Sequence, residues 1–364
     1  MPLITYVFSK GRISKFNNQK PLATEFYYGA IEFLNQNYDV KILEFTNTKS
    51  IVFKTFDKIL NKFLSLPFST SQIIKINNLK LILNSKNLIL INENVGFSVL
   101  PMLLLVKYFK KINVTLFVMG LYSKKIQYPI FKSLHFFIIK ILTSNVDQVF
   151  FLGKGELEKA KYIHKKSKNY FYFPFHIDFN FWKYPNLDIN KNSGILFVGN
   201  DGNRDPKTFN KIAHNFPDIN FTVVSNINEF DTSLNNLNML KGNWESNLIS
   251  DIQLKQIYST NRLTVIPLLE SSQPSGQSVA LQSMSVGIPV LINKTEGFWD
   301  DEMFKDNFNI FFIENNNIDE WTKKINQIYF NLELLEKVSK NARNTVNSEL
   351  NMKQLFLKLK KFFD

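Results

Sequence analysis

The chain has no cysteine, which excludes disulfide bridges, a thiolate zinc site and a cysteine nucleophile. Histidine is scarce: His135, His164, His176 and His214 are the only four, and their spacing fits no metal-ligand pattern. Long apolar runs are missing too. The longest, residues 99–106 and 136–142, fall well short of the ~20 residues that span a bilayer. The start, Met1-Pro2-Leu3-Ile4-Thr5-Tyr6-Val7-Phe8, is too short and too uncharged for a signal peptide and reads as a first strand. A cytoplasmic location is the expectation. There is no GxGxxG fingerprint, no internal repeat and no low-complexity tail.

Acidic residues are few in the first half. Residues 1–180 carry 25 Lys and Arg against 10 Asp and Glu, a balance of +15; residues 181–364 carry 19 against 21, a balance of −2, which together give the chain's +13. The first half therefore holds the whole excess and is expected to face a polyanion or an anionic membrane. Residues 49–86 alternate lysine with phenylalanine. Helical spacing groups Phe56, Leu60 and Phe63 on one face and Lys54, Lys58 and Lys62 on another. Such a helix either covers a sheet or lies at a membrane surface. No base-stacking motif is interleaved with the charge, so nucleic acid is not an expected partner.

What the sequence does contain is alternation of strand and helix signals over a length suited to two domains. Strands are expected over 3–8, 38–45, 87–91, 114–118, 146–151, 170–173, 194–199, 220–225, 263–266, 289–292 and 309–313. Helices are expected over 21–35, 97–109, 252–258, 318–330, 332–346 and 352–363, and residues 181–193 read as a polar, proline-containing linker. The most informative stretch is 271–291. Pro267 stops an apolar strand, Gln273-Pro274-Ser275-Gly276-Gln277 turns the chain, Ser275 is placed to cap a helix, and Gly287 sits at its C-terminus. A strand, a glycine turn and a helix N-terminus together make an anion site. Taken alone, this is also an ordinary βαβ unit.

Leu281-Gln282-Ser283-Met284-Ser285-Val286-Gly287-Ile288-Pro289-Val290, following the Ser-Gly-Gln turn, resembles the donor-binding signature of family 4-like glycosyltransferases of the GT-B fold. Residues 194–199 resemble that family's "iLFVG" strand, residues 170–178 its "iPNGVD" segment and residues 293–300 its "GG-x-x-E" loop. There are departures. Gln282 stands where the family has a ribose-binding glutamate, the first signature glutamate has no equivalent, Asn200 replaces an arginine, Met119 lies where many relatives have a histidine, and His176 replaces a glycine.

The resemblance implies an α/β GT-B protein: two doubly wound Rossmann-like domains facing a cleft, with a C-terminal helix crossing back. The implied domains are an acceptor-binding 1–183, a nucleotide-sugar-binding 192–346 and a helix 347–364 packed on the first domain. The implied activity is a retaining, metal-independent transfer of sugar from a nucleotide-diphosphate donor to an acceptor hydroxyl, in cell-surface polysaccharide or glycolipid synthesis. Gly11, Arg204, Lys207, Ser275, Gly276 and Gln277 would hold the donor diphosphate, Gln282 the ribose, Gly297 and Asp300 the donor sugar, and Glu93 the acceptor. The competing reading of Arg204 is a loop arginine paired with Asp205. No catalytic base, metal or cofactor beyond the donor is implied. The acceptor is expected to be a glycan or lipid-linked, with residues 49–86 on an anionic membrane at its inner face. A GT-B sugar-nucleotide epimerase and a catalytically degenerate GT-B binding protein are the alternatives.

Overall fold

Ile4-Thr5-Tyr6-Val7-Phe8 and Asn87-Leu88-Ile89-Leu90-Ile91 are buried at every position. Unbroken burial marks parallel strands covered on both faces. The structure, a computed structural model, describes residues 3–18, 22–46, 50–165, 168–242 and 248–363. The chain forms two units, each with its own six-stranded parallel sheet.

The first unit comprises Met1–Asn18, Phe26–Pro174 and Phe356–Asp364. Its elements begin with β1 (Ile4–Phe8), α1 (Arg12–Asn18), α2 (Ala30–Asn35), β2 (Val40–Glu44), α3 (Ile51–Leu64) and α4 (Ile76–Asn84). They continue through β3 (Asn87–Ile91), α5 (Glu93–Phe109), β4 (Asn113–Val118), α6 (Lys132–Ser144), β5 (Gln148–Phe151), α7 (Lys154–Ile163) and β6 (Tyr170–Tyr172). The strand order is β2-β1-β3-β4-β5-β6. The second unit, Gln19–Glu25 with Phe175–Leu355, holds α8 (Phe179–Trp182), β7 (Ile195–Val198), α9 (Pro206–Asn215), β8 (Phe221–Val224), β9 (Leu237–Leu240) and α10 (Asp251–Thr260). After these come β10 (Leu263–Ile266), α11 (Gln277–Val286), β11 (Val290–Asn293), β12 (Phe311–Ile313), α12 (Ile318–Tyr329) and α13 (Leu332–Glu349). Its order is β12-β11-β10-β7-β8-β9. The last helix, α14 (Met352–Phe363), starts in the second unit and ends in the first.

Each sheet reverses its winding once, between β1 and β3 and between β7 and β10. Ligands of open parallel sheets bind beyond the strand carboxyl ends at such a reversal. The β7–β10 crevice therefore places the loops after Val198 and after Ile266 side by side. Phe197, Phe209, Phe221, Phe230 and Trp321 fill the core under that edge, and the aromatic pairs Phe197–Phe209 and Phe197–Phe230 meet edge-on at 5.0 and 4.9 Å.

One expectation needs correction. The helix expected over 21–35 is a single 3₁₀ turn, Glu25–Tyr27, followed by α2; Pro21 lies outside the described residues. Tyr28 and Gly29 both have positive φ, 51° and 91°, which breaks the helical path between them. Helix α3 leaves Phe56 exposed. Asp57 takes the buried face instead, accepting from the backbone N–H of Thr70 at 3.0 Å and of Ser71 at 2.9 Å. A buried carboxylate must be hydrogen-bonded, and satisfying it rotates Ile51, Val52, Phe53, Phe56 and Ile59 into solvent. Lys49, at the head of the basic stretch, lies outside the described residues.

Phe33 of α2 is fully buried against Tyr38, Phe356 and Phe363. Phe33→Ala leaves a cavity in the first unit, with an expected cost of about 3–5 kcal/mol. A denaturation midpoint that falls at unchanged slope is the expected result.

Candidate functional site

β7 ends at Gly199, whose φ of +151° and tight surroundings both require glycine: a Cβ there would strike the Arg204 guanidinium, 2.9 Å from Cζ. The loop that follows is tied to the loop after β10. Asp205 N–H donates to Pro267 O at 3.0 Å, Leu269 N–H donates to Asn203 O at 2.8 Å, and Arg204 bridges Leu268. Asn203 Nδ2 donates to Ser275 Oγ at 2.8 Å. These bonds fold Arg204 inward until it is 4% exposed.

Among the described residues its guanidinium has one partner, Asp201, at 3.4 Å from Nη2. Nε and Nη1 are buried and donate to no partner among the described residues. The carboxylate partner is thus Asp201, not Asp205, whose side chain caps α9 through Thr208 N–H at 3.0 Å. Burial lowers the Arg204 pKa, and Asp201 pulls it back up. Nη1 lies against the N-terminus of α11, since a Cβ on Gly276 would sit 3.2 Å from it. The first amides of a helix have no acceptor within the helix and carry the positive end of its dipole. A buried cation with two free donors beside a helix N-terminus is suited to an anion with several oxygens.

Gln282, on the second turn of α11, is 4% exposed. Its Nε2 donates to Glu25 Oε1 at 3.1 Å, and its Oε1 accepts from Tyr258 OH at 3.2 Å. Trp182 Nε1 also donates to Glu25 Oε1, at 2.8 Å. Glu25 Oε2 is buried without a partner. Burial above all, with Asp178 and Asp251 adding repulsion, pushes the Glu25 pKa up to about 8.

Residues 206–345 match the family described as glycosyl transferases group 1. These residues form a glycosyltransferase domain. It begins two residues after Arg204. The chain is also similar throughout to solved structures. One is sucrose-phosphate synthase from Thermosynechococcus elongatus, 12% identical at a TM-score of 0.71, covering 100% of this chain and 98% of that one. Another is Anabaena HepE in complex with UDP and glucose, 11% identical at a TM-score of 0.66, covering 99% of each. A third is a variant of TarM from S. aureus with fondaparinux, alpha-GlcNAc-glycerol and UDP, 12% identical at a TM-score of 0.67, covering 100% of each. At these identities the likeness establishes the fold, which is GT-B. No curated protein matches the sequence.

In the glycosyltransferase domain, α11 starts one residue later than expected. Its N-cap is Gly276 in the left-handed conformation, φ 81°, with no side-chain cap. Ser275 does not cap it; Ser275 Oγ is taken by Asn203, and its carbonyl accepts from Trp299 Nε1 at 2.8 Å. Gly297 packs on the backbone of Ser272 and Gln273, where a Cβ would lie 2.5 Å from Gln273 O. Asp300 is buried and accepts from Glu302 and Met303 N–H at 3.0 and 3.2 Å. Lys207 is exposed on the first turn of α9, with no hydrogen bond or ion pair among the described residues.

In the first unit, Gly11 follows β1 with φ +102° and accepts from Lys15 N–H at 3.2 Å. Glu93 opens α5, is 6% exposed, accepts from Met119 N–H at 3.2 Å and faces Lys124 at 3.6 Å. Sequence reasoning missed Glu25, Trp182 and Tyr258. Glu25 lies 257 positions from Gln282 in a stretch with no motif.

The Glu25 titration has a sign that can be tested. Between the ordinary value near 4.5 and about 8, the folded protein keeps a proton that the unfolded chain releases. Its contribution to stability therefore falls as pH rises through that window and is level above it. Glu25→Gln removes the slope. Denaturation at about pH 5 and about pH 9 should show the variant gaining on the parent at the higher pH.

Proposed function

We propose that the protein transfers a sugar from a nucleoside-diphosphate donor to an acceptor hydroxyl, with the second unit holding the donor. One observation carries this reading: Arg204 is buried with Nε and Nη1 unpartnered against the N-terminus of α11. Leaving buried donors of a charged group unmade is expensive, and a diphosphate supplies the missing acceptors. UDP in the HepE and TarM structures supports the ligand class. Gly276 and Gln277 present the helix end, Ser275 and Gly297 shape the wall, Lys207 adds positive charge at the rim, and Gln282 lies on the next turn of α11, bonded to Glu25.

The reaction read from this site breaks the bond between the anomeric carbon and the diphosphate oxygen and forms one to the acceptor oxygen on the same face. The hydroxyl proton leaves with a diphosphate oxygen. The chain's contribution is electrostatic: Arg204 and the helix dipole stabilise charge as it develops on the leaving group, in a buried setting where such interactions are strong. This retaining course, in which the chain needs no metal, rests on the family resemblance. Arg204→Ala should weaken UDP and inorganic pyrophosphate binding alike, since charge-assisted bonds contribute on the order of 1.5–3 kcal/mol each. Titration calorimetry showing parental affinity in the variant would remove Arg204 from the site.

The acceptor side is read as a glycan or lipid-linked acceptor at an anionic membrane, on the cytoplasmic face. No helix among the described residues is long and apolar enough to cross a membrane. The supporting observation is α3, where Ile51 and Val52 are each 78% exposed and Phe53, Phe56 and Ile59 also face solvent. Lys54, Lys58 and Lys62 are exposed on the same helix. Apolar insertion with lysines at the headgroups suits an anionic surface, at about 1 kcal/mol per lysine. Vesicle co-sedimentation should require anionic lipid, weaken with salt, and fall when Lys54, Lys58 and Lys62 become Glu. Equal pelleting on neutral vesicles would count against it.

A further inference from the structure

Glu25 is a carboxylate without a cation. It is 1% exposed and pairs with no lysine or arginine among the described residues. The groups around it are Trp182 of α8, Gln282 of α11, Tyr258 of α10, and the carboxylates Asp178 and Asp251. Oε1 is saturated by two donors, while Oε2 receives none. A carboxylate offers about four acceptor positions, so half of this one is idle in a place that water does not reach. The idle oxygen belongs to the same cluster as Arg204. Tyr258 is within electrostatic reach of both Arg204 and Glu25 and donates to Gln282. Gly276 and Gln282 are six residues apart along α11, about 9 Å at 1.5 Å per residue, so anion site and carboxylate lie along one helix as the phosphates and sugar of a nucleotide do.

Gln282 itself is largely committed: its amide nitrogen is engaged by Glu25 and its oxygen by Tyr258. An amide also lacks the two-oxygen acceptor set that suits a pair of neighbouring hydroxyls. We propose that Glu25 is the ribose-binding carboxylate of this protein, supplied by residues 22–25 of the second unit, with Gln282 as its positioning residue. The inference rests on the nucleotide-donor reading and says which group reads the ribose. Oε2 accepts the 2′- and 3′-hydroxyl protons, and Gln282 and Trp182 hold Oε1 so that Oε2 stays in place. Donor hydroxyls also stabilise the ionised carboxylate that burial disfavours, so nucleotide binding and loss of the Glu25 proton are coupled.

The test uses the full chain and titration calorimetry with inorganic pyrophosphate and with whichever of UDP, ADP and GDP binds the parent most tightly, each nucleotide paired with its 2′,3′-dideoxy form. The parent should prefer the ribonucleotide by tenfold or more. Glu25→Gln should bring that ratio close to one while leaving pyrophosphate affinity unchanged; where it does not fold, Glu25→Asp, one methylene shorter, should do the same. The parent's ratio should rise between pH 7 and 9, and the variant's should not. A folded variant that keeps the parental ratio overturns the assignment, as does a parent that ignores the hydroxyls while binding pyrophosphate. A variant that loses pyrophosphate and ribonucleotide in equal proportion shows Glu25 to be structural only. If the parent binds neither pyrophosphate nor any of the nucleotides, the donor reading fails along with it.

Discussion

The second unit is arranged around a buried guanidinium that the protein itself does not satisfy. Arg204 reaches the interior because the loops after β7 and β10 are hydrogen-bonded to one another. It fits there because Gly199 and Gly276 have no side chains. Every one of these features costs stability on its own: two left-handed glycines lose more entropy than other residues would, an uncapped helix end forgoes a favourable bond, and a half-paired buried cation is worse still. They make sense together under the proposal of an anion ligand, since sites that break local rules in concert are where function is expected.

How much of this could be read from the sequence depended on the range of the forces involved. The strand runs and the Gly287 helix end follow from local pattern, and the GT-B fold, with its β7–β10 neighbourhood, followed from the resemblance of residues 281–290 and 194–199. Arg204 was legible as a loop cation, but not as a buried one with Asp201 as its partner; that depends on bonds such as Asn203 to Ser275, between loops that are far apart in the chain. Ser275 had the right chemistry for a cap, and the Asn203 amide took its hydroxyl first. Glu25 could not be found at all. Its neighbours come from α8, α10 and α11, and no spacing rule links them.

The first unit shows the same contest between polar satisfaction and apolar patterning. In α3, spacing grouped Phe56, Leu60 and Phe63, yet Asp57 is buried because the 3₁₀ turn at Thr70–Gln72 offers it two N–H groups. The exposed apolar row is the consequence, and it coincides with the half of the chain that carries the charge excess. Two further buried carboxylates, Glu93 and Glu156, hold the loop after β4 by its backbone N–H groups at Met119, Gly120 and Tyr122. Burial raises the Glu156 pKa to about 8, as it does for Glu25.

The central claim, that Arg204 is completed by a ligand phosphate, is tested most directly by a crystal structure with a bound nucleoside diphosphate. The account predicts a phosphate oxygen within hydrogen-bond distance of Arg204 Nε or Nη1 and of a first-turn amide of α11. A nucleotide bound elsewhere, with both nitrogens still unpartnered, would contradict it.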